Sequence, residues 1–219
     1  MFGEDAADPR RVRVKICGIT NPADAHAAIE AGADALGLNF YSKSRRFLDL
    51  DLARAWISEL PERTRKIAVL VNARSEEALA LARLPFIDGL QLHGQESPEF
   101  CARLAKEGVR FAKALPVTEE GSVDHALSFA TDTIVLDSIA SGFFGGSGKT
   151  FPWSIARRFV ERYGTLRVIL AGGLTPDNVA QAVAEVRPFA VDVTTGVESS
   201  PGRKDHQRLR EFIGAARSA

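Results

Sequence analysis

The sequence predicts a single-domain α/β protein in which eight parallel strands, each followed by a helix, close into a barrel. Strand-like and helix-like segments alternate along the chain in eight units of about 25 residues, and no second domain interrupts them. Alternation of this kind builds a parallel sheet covered by helices. An open doubly wound sheet is the alternative, but it typically has about five or six strands. Eight units fit a (β/α)8 barrel of the TIM type.

Runs of branched and apolar residues mark the strands, as expected for a sheet that is buried on both faces. The eight strands are predicted at 12–17, 35–40, 66–71, 87–93, 110–114, 133–137, 167–171 and 189–193.

Capping residues place the helices between the strands. Asn21, Ser75, Ser97 and Thr175 are predicted N-caps, three of them followed by a proline that suits the first helical position. The helices are predicted at 22–31, 50–60, 75–83, 98–108, 122–130, 152–163, 175–186 and 205–216.

Composition limits the classes of partner. The 28 basic residues balance 28 acidic ones, so we expect neither nucleic acid nor a membrane as a partner. The polar residues 1–11 are predicted to be a flexible N-terminal extension without the apolar segment of a secretory signal, and 12–219 to be the barrel domain. With two cysteines, Cys17 and Cys101, and no metal-site spacing, we expect no disulfide framework, no metal and a cytoplasmic protein.

Polar residues and glycines collect where the predicted strands end, which is where barrels of this type hold their active sites. These residues are Cys17, Asn39, Asn72, His93, Lys113, Asp137, Gly172, Gly173, Thr194, Thr195 and Gly196.

Two of these strand ends suit a phosphate group. Gly172 and Gly173 follow strand seven, and Thr195 and Gly196 follow strand eight. Glycines let backbone N–H groups approach an anion, and barrels often bind phosphate between these two loops. Tight turns without a ligand are the alternative interpretation.

Cys17 and Asp137 flank that predicted phosphate site, because strands eight and seven lie between strands one and six in a closed barrel. They are therefore a candidate acid–base pair, although each has a plain structural alternative as a buried hydrophobe or a turn cap. Lys15 and Asp192 are predicted to form a buried ion pair beneath them. A cation at Lys15 would also favour the thiolate form of Cys17.

The loop after strand six ends in Gly148-Lys149-Thr150, as a P-loop does. A Walker motif needs glycine five positions before Gly148, where Phe143 stands, so the spacing argues against nucleotide binding. We expect a lid in which Phe143 and Phe144 close over a ligand; an ordinary surface loop is the alternative.

Over about residues 12–216 the chain resembles phosphoribosylanthranilate isomerase of tryptophan biosynthesis. The resemblance is carried by Val14-Lys-Ile-Cys-Gly-Ile-Thr20, Gly32-Ala-Asp-Ala-Leu-Gly37, Ser42-Lys-Ser-Arg-Arg46, Gln91-Leu-His-Gly94, Val135-Leu-Asp-Ser138, Gly145-Gly-Ser-Gly-Lys-Thr150, Gly172-Gly-Leu-Thr-Pro-Asp-Asn178 and Val191-Asp-Val-Thr-Thr-Gly-Val-Glu198.

The resemblance implies an Amadori rearrangement of a phosphorylated sugar–anthranilate substrate by a barrel enzyme that needs no cofactor. It implies that Cys17 is the general base, Asp137 the general acid and Arg46 the group that binds the anthranilate carboxylate. The two glycine loops, with Gly172, Gly173, Thr195 and Gly196, would bind the phosphate. His93 would line the same mouth or serve as a structural histidine.

Two departures from the family and several alternatives remain open at this point. Asn39 stands where the family often has an apolar residue, and the N-terminal extension has no counterpart in its shortest members. A related barrel isomerase acting on another aminoaldose phosphate would be expected to use paired aspartates, whereas strand one here ends in cysteine. A non-catalytic sugar-phosphate-binding barrel and either a monomer or a homodimer also fit the sequence.

Overall fold

The computed structural model describes residues 11–138 and 150–219, and it confirms the predicted barrel. Eight parallel strands pair in chain order, and the last pairs with the first to close the ring, which rules out the open sheet. The strands are β1 (Arg13–Cys17), β2 (Ala35–Asn39), β3 (Arg65–Leu70), β4 (Gly89–Leu92), β5 (Phe111–Val117), β6 (Thr133–Ser138), β7 (Arg167–Leu170) and β8 (Ala190–Val193).

Seven α-helices in the described residues cover the outside of the barrel. They are α1 (Pro22–Ala31), α2 (Leu50–Ser58), α3 (Ser75–Ala82), α4 (Pro98–Lys106), α5 (Trp153–Arg162), α6 (Val179–Val186) and α7 (His206–Arg217).

Two of the four predicted N-caps, Asn21 and Ser97, are confirmed, whereas Ser75 and Thr175 do not cap the helices predicted to follow them. The Asn21 side chain accepts the Asp24 N–H at 2.9 Å, and the Ser97 hydroxyl accepts the Phe100 N–H. Ser75 was predicted as a cap but is the first helical residue. The start of the helix is stabilised instead by the Glu77 carboxylate, which accepts a hydrogen bond from the backbone N–H of Arg74.

Two predicted helices differ from the structure. The segment predicted as a helix at 122–130 forms a 3-10 helix, Asp124–Phe129. The helix predicted from residue 175 begins at Val179, because the Asn178 side chain accepts the Thr175 N–H and donates to the Gly173 carbonyl. Those two hydrogen bonds hold the chain before α6 as a turn.

The sequence did not predict the short hairpin that follows β8. A 3-10 turn, Thr195–Val197, leads into β9 (Glu198–Ser200), which pairs antiparallel with β10 (Arg203–Lys204). The hairpin packs against the end of β1, because the Thr20 hydroxyl donates to the Gly202 carbonyl at 2.6 Å. It therefore adds side chains to the carboxyl end of the barrel.

The inside of the barrel is filled by small and branched side chains, so the barrel is a packed core rather than a channel. A ligand can therefore bind only at an end. The apolar residues inside the barrel are Ala35, Ile67, Ala112, Ala114, Val135, Ile169, Ala171 and Ala190.

Two predictions fall largely outside the described residues. Of the predicted N-terminal extension only Arg11 is described, and it forms an ion pair with Asp34. The predicted lid residues Phe143 and Phe144 lie outside the described ranges. Among the helices that the structure does describe, none combines the length and the apolar character that crossing a bilayer requires.

Candidate active site

A buried ion pair forms the base of the site. Lys15 on β1 and Asp192 on β8 are partners across the strand pairing, and Lys15 Nζ lies 2.9 Å from Asp192 Oδ2. Burial lowers the pKa of Lys15, but the negative charges of Asp192 and Cys17 outweigh burial and raise that pKa above its usual value of 10.5. Lys15 is therefore an ammonium ion at neutral pH, and the predicted ion pair is confirmed.

Cys17 ends β1 on the same face as Lys15, and its side chain lies beside Gly37 of β2. A Cβ added at Gly37 would lie 2.7 Å from Cys17 Sγ and 3.0 Å from Lys15 Nζ. Only glycine leaves room for both groups, so the sulfur and the ammonium lie side by side.

Arg46 lies over the turn that follows Cys17. Gly18 has a φ of +75°, and a Cβ there would come within 2.5 Å of Arg46 Cδ. The guanidinium donates from Nε to Glu198 Oε1 at 2.7 Å and from Nη2 to Oε2 at 2.6 Å. Chiefly because of these hydrogen bonds, the pKa of Arg46 is raised, and the charge of Cys17 contributes in the same direction.

The hairpin supplies two further charges to this side of the mouth. Lys204 Nζ lies 3.2 Å from Glu198 Oε1 and donates to the Cys17 carbonyl at 2.6 Å. Burial raises the pKa of Glu198, but Arg46 and Lys204 lower it overall. Burial lowers the pKa of Lys204, and the nearby negative charges offset this only in part. We call this set the Cys17 cluster: Lys15, Cys17, Arg46, Asp192, Glu198 and Lys204.

Asp137 lies on β6 in surroundings of a different kind. It is buried, and Asp137 Oδ2 lies 3.1 Å from His93 Nε2. The other ring nitrogen of His93 lies 2.8 Å from Nε2 of the fully buried Gln91. Within 11–138 and 150–219, no lysine or arginine lies within salt-bridge distance of the Asp137 carboxylate. His93 and Asp137, predicted on separate strands, are thus in direct contact.

The loops after β7 and β8 touch each other. A Cβ at Gly196 would lie 1.9 Å from the Leu174 carbonyl oxygen, and one at Gly172 would lie 2.5 Å from the Ser138 backbone nitrogen. Gly172 and Gly173 have φ values of +85° and +64°. Their N–H groups have no acceptor among the described residues, an arrangement that suits an anion.

Two residues that we predicted at strand ends stabilise a loop and do not line the candidate site at the carboxyl end of the barrel. Lys113 lies inside β5 rather than at its end, and its side chain forms a buried ion pair with Glu96 at 3.0 Å. Asn72, at a φ of +50°, accepts the Gln95 N–H. Both side chains therefore stabilise the loop that follows β4.

Asn39 acts on the site through a neighbour. Its side chain donates to Ser44 Oγ at 3.1 Å, and the same oxygen accepts the Arg46 N–H. The residue that departs from the family pattern thus holds the loop that carries Arg46.

Sequence reasoning missed Glu198, Lys204 and Gln91. Glu198 directly follows the predicted phosphate loop and ends the Val191–Glu198 stretch that carries the family resemblance, which was the one signal available in the sequence. Lys204 is separated from Cys17 by 187 positions and lies in a hairpin too short to detect. Gln91 lies within a predicted strand, and the strand pattern around it does not distinguish it as a site residue. In the described part of the chain, no group of three or more metal-ligating side chains could hold an ion.

Comparison with known proteins agrees with this geometry. Residues 14–215 match the family model described as N-(5'phosphoribosyl)anthranilate (PRA) isomerase. A Thermotoga neapolitana N-(5'-phosphoribosyl)anthranilate isomerase is 47% identical over 206 residues, which cover 94% of this chain and 98% of that protein.

Solved structures give the same result. The crystal structure of phosphoribosyl anthranilate isomerase from Thermotoga maritima superposes with a TM-score of 0.86 at 41% identity, covering 95% of this chain and 100% of that chain. A second structure is of a phosphoribosyl anthranilate isomerase in complex with reduced 1-(o-carboxyphenylamino)-1-deoxyribulose 5-phosphate. It matches with a TM-score of 0.82 at 40% identity, over 95% of this chain and 100% of that one. This chain therefore belongs to the family of N-(5'-phosphoribosyl)anthranilate isomerases.

Proposed function

We propose that this chain isomerises N-(5-phospho-β-D-ribosyl)anthranilate to 1-(2-carboxyphenylamino)-1-deoxy-D-ribulose 5-phosphate, an Amadori rearrangement in tryptophan biosynthesis. The observation that carries the proposal is that two proton-transfer groups lie at the carboxyl ends of two strands of one barrel, in opposite electrostatic surroundings. Cys17 lies among cations, whereas Asp137 contacts a histidine and no described cation of lysine or arginine. A reaction that adds one proton and removes another needs this difference.

Cys17 is the general base in this proposal. The Cys17 cluster contains three cations, Lys15, Arg46 and Lys204, but only two carboxylates. One positive charge is left over, and a thiolate at Cys17 neutralises it. The free thiol also suits a reducing compartment, which supports a cytoplasmic location.

Asp137 is the general acid. With Gln91 Nε2 donating to His93 Nδ1, the histidine proton is on Nε2 and points to Asp137 Oδ2. The second carboxyl oxygen is then left to carry the proton for the substrate. His93 thus holds the acid in place as well as lining the mouth.

The phosphate binds to the backbone of Gly172, Gly173, Thr195 and Gly196. In the barrel order, β7 and β8 lie between β6 and β1, so an anion on their loops lies between Asp137 and Cys17. The pentose attached to that phosphate then reaches both groups.

The reaction balances with these groups alone. Asp137 gives its proton to the ribose ring oxygen as the bond from that oxygen to C1 breaks, and the nitrogen lone pair forms an iminium. Cys17 takes the proton from C2, which leaves an enolamine. The enol then loses its hydroxyl proton, C1 gains one, and the ketone forms. Cys17 finally loses a proton and Asp137 regains one.

The experiment is to mix the purified chain with N-(5-phosphoribosyl)anthranilate and follow the loss of its fluorescence. The proposal predicts enzyme-dependent loss of signal and appearance of the ketose product. An intact, folded protein that binds the substrate without consuming it would instead identify a sugar-phosphate-binding barrel.

A further inference from the structure

We propose that Glu198 is a positioning residue that aims Arg46 at the aromatic carboxylate and so determines the preference for a carboxylated substrate. This inference rests on the proposed function, because it concerns the same site. Glu198 does not itself touch the ligand in this proposal; it acts through the guanidinium that it holds.

The first observation is which edge of Arg46 is in use. A guanidinium has two edges that can each bind a carboxylate with two parallel hydrogen bonds. Glu198 occupies the edge formed by Nε and Nη2, with distances of 2.7 and 2.6 Å. The other edge, formed by Nη1 and the second N–H of Nη2, has no acceptor among the described residues. That free edge is the one left for a ligand carboxylate.

The second observation is that Arg46 is fixed along its whole length. Its backbone N–H donates to Ser44 Oγ, and its Cδ packs over Gly18, where a Cβ would come within 2.5 Å. The Arg46 side chain is only 14% exposed. With the stem held in this way, the contact to Glu198 decides the direction in which the free edge points.

The third observation is that Glu198 is itself rigid. Its side chain is 4% exposed, and Oε1 also receives hydrogen bonds from Lys204 Nζ at 3.2 Å and from the Gly202 N–H at 3.3 Å. Lys204 in turn donates to the Cys17 carbonyl. The hairpin therefore fixes the guanidinium relative to the backbone of Cys17, so that the aromatic end of the ligand is placed relative to the reacting carbon.

The test measures binding rather than turnover. The two probes are reduced 1-(o-carboxyphenylamino)-1-deoxyribulose 5-phosphate and the same compound without its carboxylate, titrated by calorimetry. Wild-type protein should prefer the carboxylated probe by about 10- to 100-fold, the range of a charge-assisted hydrogen-bond pair. In Glu198→Gln the amide oxygen can still accept from one Arg46 N–H, but the amide NH2 then faces the other N–H and repels it. The guanidinium should therefore turn away, and the preference for the carboxylated probe should fall below about threefold.

Three further variants show whether the effect passes through Arg46. Arg46→Ala should lose the same preference, and the double variant should lose no more than either single one. Asp88→Asn is the matched control, because Asp88 also lies between an arginine and a lysine, Arg65 and Lys66, but at the opposite end of the barrel. It should keep the wild-type preference.

Each outcome decides the inference. If Glu198→Gln folds and keeps the wild-type preference, or weakens both probes equally, the positioning role is wrong while the proposed function stands. If Glu198→Gln does not fold, Glu198→Asp keeps the charge but withdraws the carboxylate, and the same loss of preference is expected. If wild-type protein binds neither probe and turns over no substrate, the proposed function fails and this inference with it.

Discussion

The two sides of the candidate site, at the carboxyl ends of β1 and β6, differ in the charges that surround their proton-transfer groups. On the β1 side, Cys17 lies beside the ammonium of Lys15, with Arg46 and Lys204 close by. On the β6 side, the described side chain that pairs with the Asp137 carboxyl is the imidazole of His93. The comparison teaches that the two proposed proton-transfer groups lie in opposite charge surroundings: cations surround the Cys17 thiol, whereas no described lysine or arginine pairs with the Asp137 carboxyl. The roles proposed above, Cys17 as base and Asp137 as acid, require such a difference between the two groups.

The largest effect is expected at the base. Cys17→Ala should lower kcat by about 10²-fold or more, the usual scale for a general base, measured by loss of substrate fluorescence. The other free cysteine is the control: Cys101 on α4 is buried, and burial raises its pKa to about 11. Cys101→Ala should keep near-normal kcat, and near-normal turnover in Cys17→Ala would remove Cys17 from its role.

On the acid side, Asp137→Asn should also lower kcat by about 10²-fold or more, because an amide N–H is far too weak an acid to protonate the ribose ring oxygen. Asp132→Asn, a change just before the same strand and away from the mouth, is the control. Substrate binding should survive in Asp137→Asn. Turnover within a few fold of wild type would contradict the assignment of the acid.

Removing the cation beside Cys17 should destabilise the fold. Lys15→Met leaves Asp192 buried without its partner, and breaking a buried pair in this way costs about 3–5 kcal/mol. Urea unfolding would measure this loss, and Arg74→Met, which breaks the exposed pair of Arg74 and Glu77, is the control and should cost far less. Equal losses in the two variants would show that Lys15 contributes no more than a surface charge.

The glycine loops after β7 and β8 should not tolerate larger side chains. Gly196→Ala would drive a Cβ into the Leu174 carbonyl, separating the two loops and raising KM by about tenfold or more, since a charge-assisted contact to phosphate is lost. Gly214→Ala on α7 meets nothing within 4 Å and should instead add about 0.5–1 kcal/mol of stability. Unchanged KM in Gly196→Ala would place the phosphate elsewhere.

The smallest effect concerns acid sensitivity of the β1 side. The pKa of Glu198 is lowered from its usual value of 4.5 in the folded state, so its charge contributes stability above about pH 4.5. That contribution is lost as the pH falls through the folded value. Glu198→Gln should therefore show a shallower loss of unfolding free energy below pH 4.5 than wild type, measured by urea unfolding at several pH values. An identical slope would contradict the lowered pKa.

The difference between the two sides also explains what could be predicted from sequence. The strands and the ion pair of Lys15 and Asp192 follow from local patterns and from the order of strands around a closed barrel. The contacts of Glu198 depend on side chains 152 positions apart, Arg46 and Glu198, and on a hairpin whose strands are three and two residues long. Neither leaves a periodic pattern in the sequence. The start of α6 was misplaced for a related reason, because the Asn178 side chain replaces the first helical turn.

The central claim is that Cys17 and Asp137 lie on opposite sides of one bound ligand. The most direct test is a crystal structure of the chain with reduced 1-(o-carboxyphenylamino)-1-deoxyribulose 5-phosphate. We expect Cys17 Sγ at about 3–3.5 Å from the C2 carbon of the ligand, the spacing of reacting atoms. We also expect Asp137 within hydrogen-bond distance, about 2.6–3.2 Å, of the oxygen that was the ring oxygen. A ligand bound with either group turned away from it would contradict the account.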